Sequence, residues 1–251
     1  MDKILKVSKF NIEDMIKPIV IFYGFLLAYL LFITRWSIGS EEVIMGGIEI
    51  FTVLFIVLHG METFKRKFYF AQSNNISRKS FIKGIILSIF PISMAMAITD
   101  LFINRAINAF IKMPSLYEFI IGNFKGKVSS STWIQDNSVD VMLKNIIFLF
   151  LIYCMVYILA LVIEIIFYNR NELGKLVAIT ILIFLPKIVR NIMEHFDVVP
   201  YEINNKIKDI LNFTDNNIII ELLTYGILFI GLYFIANLLI RKATIKWFIP
   251  Q

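Results

Sequence analysis

Between residues 61 and 84 the chain leaves its long apolar runs for its densest stretch of one charge sign: Lys65, Arg66, Lys67, Arg78, Lys79 and Lys83. Predominantly apolar segments flank it, residues 48–58 before and 85–97 after. That order of parts reads as two membrane spans joined by a basic loop on the cytoplasmic side. Within the loop, Phe64, Phe68 and Ala71 recur at helical spacing, which predicts a short amphipathic helix over residues 63–73. Asn74-Asn75 supply its stop, because asparagine tolerates the left-handed conformation that ends helices. Ser77 is placed to cap the helix that follows.

The rest of the chain extends the pattern. Apolar residues make up 58% of it and the mean hydropathy is +0.75, against about 45–50% apolar in soluble domains. Six stretches qualify as spans, at residues 18–33, 43–61, 81–102, 141–168, 173–189 and 218–240. The expected fold is therefore all-α and polytopic, one transmembrane domain over the whole chain. Residues 1–17 carry Lys3, Lys6, Lys9 and Lys17 among apolar neighbours, as an interfacial helix drawn to anionic membrane lipids would. Pro18 suits the first turn of the span that follows, and Pro91 marks a bend inside the third. Short helices are expected over residues 106–112 and 115–121, and in an apolar-rich external region at 190–217.

The net charge of +6 says little by itself. The lysines and arginines sit beside spans, so they point to a membrane and not to nucleic acid. Their asymmetry sets the orientation. The side holding the N-terminal lysines, the basic loop, Arg170, Lys175 and Arg241 is poor in acids, whereas acids outnumber bases on the other. Both termini are expected in the cytoplasm. Richness in Ile, Lys, Asn and Phe fits a low-GC bacterium, hence a bacterial cell membrane. No cleavable signal is evident, and the single cysteine, Cys154, forms no intrachain disulfide.

Catalytic patterns are weak. Residues 122–128 imitate a phosphate loop but fall one residue short between glycines and end in Val128, where Ser or Thr holds magnesium. Glu41-Glu42 resembles the glutamate pair of intramembrane CAAX-type proteases, yet the arginine and converging histidines are missing; His59 and His195 lie on opposite sides. No catalytic, cofactor or metal set emerges. Glu49 and Glu164 are the ionisable groups most nearly inside the bilayer, and intramembrane carboxylates are expensive enough to draw a functional reading.

The sequence around the basic loop is similar to the permease subunits of ABC-2 type transporters. Ile76-Ser77-Arg78, Ile82 and Gly84 match the family's step into its third span, and residues 61–70 occupy the place of its coupling helix. The family's acidic lead-in is replaced by Thr63-Phe64-Lys65-Arg66-Lys67. The resemblance implies a membrane-spanning exporter subunit paired with a second permease copy or paralogue and driven by a separate ATP-binding cassette ATPase. Phe64, Phe68, Tyr69 and Arg78 would then contact that ATPase, with Phe68 as anchor. Two other readings remain: an ion-coupled secondary transporter or channel using Glu49 or Glu164, and a membrane anchor or sensor without transport.

Overall fold

The computed structural model describes residues 2–37, 46–120, 135–168 and 218–241. All regular structure among them is helical. α1 covers Asp2–Ser37, α2 Glu49–Ser73, α3 Arg78–Asn108, α4 Leu116–Ile120, α5 Val139–Tyr168 and α6 Ile218–Arg241. α1, α3 and α5 are each long and apolar enough to cross a membrane, and α2 and α6 contain shorter apolar stretches at Glu49–Met61 and Tyr225–Arg241. The expected spans at 173–189, the external region at 190–217 and the start of the second span lie outside the described residues, as do Glu41, Glu42, His195 and residues 122–128.

The bundle is built apolar side out. Val20, Phe25, Leu31, Phe32 and Trp36 of α1 and Ile227, Ile230, Phe234 and Leu238 of α6 are exposed, while Asn11, Thr52, Ser88, Asp100, Asn104 and Asn145 are buried. Water would penalise such a surface; lipid tails accept it, and the polar groups find partners only inside. With the three apolar helices, this marks a membrane-embedded protein. α3 and α5 form the centre. α1 lies along α3, α2 along α5, and α6 closes over α5.

Two expected boundaries do not exist. The interfacial segment 1–17 and the first span are one helix that runs through Pro18. Its buried positions Val7, Asn11, Met15, Tyr23, Leu26 and Leu30 form a single stripe on both sides of the proline. Continuous packing along α3 outweighs the one backbone hydrogen bond that Pro18 cannot make. Likewise the second span and the amphipathic helix 63–73 are a single α2. Ile48, Thr52, Ile56, Gly60, Phe64, Phe68 and Ala71 keep one buried face at spacings of four and, at the end, three residues. The short helix expected at 106–112 is instead the last turn of α3 followed by a bend through Ala109–Ile111.

Two glycines sit where helices approach closely. A Cβ on Gly60 would stand 2.7 Å from the Ala160 Cβ of α5, and one on Gly84 would stand 2.6 Å from the Val7 Cβ and 2.8 Å from the Ile4 carbonyl oxygen. The glycine that matched the family step into α3 thus serves here as the seat of α1, a small-residue contact of the kind that joins membrane helices.

Candidate functional site

The corner between α2 and α3 is closed by hydrogen bonds on both sides of the turn. Asn75 adopts a positive φ of 54°. The Ile76 N–H donates to the Ala71 carbonyl at 3.0 Å and the Asn75 N–H to the Gln72 carbonyl at 3.1 Å, the paired closure of a Schellman motif. Ser77 then caps α3, its Oγ accepting from the Ser80 N–H at 3.1 Å. Both the Asn-Asn stop and the Ser77 cap thus stand where the sequence put them.

Neighbouring helices brace this corner. Lys3 Nζ donates to the Asn75 carbonyl at 3.0 Å, and Phe10 stacks on Phe70 at 4.8 Å. Arg66 Nη2 reaches both Asp14 oxygens at 2.9 Å, and Lys67 Nζ meets Asp14 Oδ2 at 3.0 Å. Lys67 also donates to Asn11 Oδ1, and Asn11 in turn donates to Ser88 Oγ. From α6, the Arg241 carbonyl accepts from Arg78 Nη1 at 2.8 Å. Lys67 is only 3% exposed. Burial pulls its ammonium below the ordinary lysine range, with the hydrogen bond and charge of Asp14 acting the other way.

Of the residues expected to face an ATPase, two are turned inward. Phe64 and Phe68 are buried, stacked at 5.4 Å on each other and packed edge-on against Phe81 and Tyr168. They are corrected from docking anchors to core residues: the helical stripe that suggested an exposed amphipathic face is the face laid on α3 and α5. Lys67, from the basic run of the loop, is likewise inside. Tyr69 is half-buried and its hydroxyl has no partner among the described residues. Arg78 is partly exposed and tied to α6. What the corner does present outward is Lys65, Arg66, Phe70, Ser73, Asn74 and Lys79.

A second polar cluster lies at the opposite end of α2 and α3. Gly47 takes a positive φ of 66°, and its N–H donates to the Pro114 carbonyl at 3.0 Å. Glu49 is fully buried; its Oε2 accepts from the Leu116 N–H at 3.0 Å, while Oε1 has no partner among the described residues. Ser115 and Glu118 form a reciprocal capping box for α4, and Glu118 Oε1 lies 3.2 Å from Arg105 Nη1. Asp100, in the middle of this cluster, accepts from Thr52 Oγ1 at 3.2 Å and from the Tyr153 hydroxyl. Neither Glu49 nor Asp100 has an ion-pair partner among the described residues.

The structure does not bring Glu49 and Glu164 together. Glu164 is half-buried one turn before Tyr168, at the corner end of α5. Asp100 and the Asn11–Lys67 pair are buried polar groups that sequence reasoning did not single out. Asp100 had a signal: it is the one acid inside the apolar run 92–103. Among the described residues no three His, Cys, Asp or Glu side chains converge as metal ligands. Comparison with protein-family models, curated proteins and solved structures finds no match to this chain.

Proposed function

We propose that the chain is the membrane-spanning permease subunit of an ATP-binding cassette exporter in a bacterial cell membrane, paired with a second permease and driven by separate ATPase subunits. The observation that carries this reading is the α2–α3 corner. It joins two apolar helices, is capped at both of its ends, is braced by α1 and α6, and offers a basic surface. A rigid corner transmits a push from a soluble partner into α2 and α3 with little loss, and a two-state transporter needs such differential contact with its motor. On this reading both termini face the cytoplasm with the corner, and six helices cross the membrane.

The docking surface is the outward set, not Phe64 or Phe68. The tagged full chain, purified from its own membranes in neutral detergent, is expected to bring down a vanadate-sensitive ATPase. Reversing the exposed Lys65 and Lys79 (K65E/K79E) should cut that recovery by roughly tenfold at low salt and less at high salt. Absence of any nucleotide-hydrolysing partner would remove the permease reading.

The cluster around Asp100 favours a second reading, an ion-coupled transporter or channel. Two buried carboxylates with no ion-pair partner among the described residues are poised to take up a proton or cation. In proteoliposomes under an imposed potential, this reading expects ion entry with the wild type that Asp100→Asn abolishes. Equal flux in both would leave Asp100 a structural hydrogen-bond acceptor for Thr52 and Tyr153.

A further inference from the structure

Between the first turns of α1 and the α2–α3 corner lies a cleft of about 320 Å³. Its rim holds the exposed Lys3 and Lys6, the buried Lys67 lies within, and its walls are apolar, with the buried Val7, Phe81 and Ile85 as floor and the Phe10–Phe70 stack beside them. The lysines differ in how far their charge is met. Lys67 is shared with Asp14 and Asn11, and Lys3 spends one N–H on the Asn75 carbonyl. Lys6 is exposed and has no partner among the described residues. The exposed edge of the cleft is therefore under-neutralised and cationic, while its buried lining is hydrocarbon.

We infer that this cleft is a binding site for one anionic phospholipid of the surrounding bilayer, its phosphate held by Lys3 and Lys6 and an acyl chain laid against Val7, Phe81 and Ile85. Charge complementarity selects the headgroup. The apolar floor selects an amphiphile, since a small soluble anion would engage the rim and leave the floor against water. Position supports the same occupant, because α1 and α3, which form the cleft, continue directly into helices apolar enough to cross a membrane. Basic pockets between helices at a membrane face are a recognised geometry for anionic headgroups. Bound there, a lipid would bridge α1 to the corner beside the existing Asp14–Arg66 and Asp14–Lys67 pairs, so membrane composition would set how firmly the corner is held.

The test uses the full chain, delipidated in neutral detergent and titrated with dioleoyl phosphatidylglycerol or dioleoyl phosphatidylcholine while bound lipid is counted by native mass spectrometry. A single phosphatidylglycerol should be retained in preference to phosphatidylcholine. Lys3→Gln with Lys6→Gln should weaken it by about tenfold or more, whereas Lys9→Gln with Lys17→Gln, the same charge removed outside the cleft, should change it by less than about twofold. All four lysines are exposed, so neither pair threatens the fold. Equal retention of the two lipids, equal weakening by the two pairs, or displacement of the lipid by inorganic phosphate would each overturn the proposal. The last would assign the rim to a soluble anion.

Discussion

Phe68→Ala is expected to destabilise the protein by about 3–5 kcal/mol, the usual cost of deleting a fully buried aromatic side chain. The ring is 0% exposed and sits in a cluster of four, with centroids 5.4 Å from Phe64, 5.5 Å from Phe81 and 5.7 Å from Tyr168. Those partners come from α2, α3 and α5, so the cavity left behind would open where three helices meet and where no single one can relax to fill it. Aromatic pairs at such spacings also contribute beyond their buried area. Phe70→Ala is the control, being two positions on, half exposed and, among the described residues, stacked on Phe10 alone. Thermal unfolding in neutral detergent should show a large drop for Phe68→Ala and a small one for Phe70→Ala. An unchanged unfolding temperature with loss of a bound partner would return Phe68 to the docking role that its helical spacing first suggested.

That reversal shows what the sequence could and could not convey. Helical spacing of Phe64, Phe68 and Ala71 reports that a helix has an apolar face, and the face exists. Spacing does not report what covers it, because a groove in a partner and a neighbouring helix of the same chain demand the same stripe. The local signals fared better. The Asn74-Asn75 stop and the Ser77 cap depend on backbone geometry within a few residues, and both stand as read. Pro18 misled because the preference of proline for a first turn is a small term beside the packing of α1 along α3 on both sides of it. Glu49 was legible as a buried acid, though not as the acceptor that holds the start of α4. Lys67 was illegible altogether. A lysine in a run of three basic residues looks solvated, and its burial follows only from Asp14 and Asn11, far away in sequence and one helix away in space.

Asp14→Asn is expected to cost about 3 kcal/mol, the lower edge of the range for stranding a buried charge, since the Asp14 side chain keeps 23% exposure. The loss arises mainly at Lys67. Arg66 is 70% exposed and gives up a pairing of little net worth. Lys67 is left with Asn11 alone among its present partners, its charge uncompensated inside the bundle. Burial already lowers the Lys67 pKa, and Asp14 opposes that by hydrogen bond and charge, so removing Asp14 lowers it further. The sign of the pH effect follows. In the unfolded chain Lys67 holds its proton up to the ordinary lysine range, whereas in the folded variant it releases it earlier. Between those two points the unfolded state binds more protons, so raising the pH through that window favours the folded state. The deficit of Asp14→Asn relative to wild type should accordingly shrink as pH rises from neutral toward the lysine range. Adding Lys67→Met should recover most of it at neutral pH, because an ion pair replaced on both sides by uncharged groups leaves no buried charge. Thermal unfolding of wild type, Asp14→Asn and the double variant across that pH range measures both effects. A deficit that is flat with pH and unrelieved by Lys67→Met would mean that Asp14 acts through Arg66 or the backbone of α1, and not through the buried lysine.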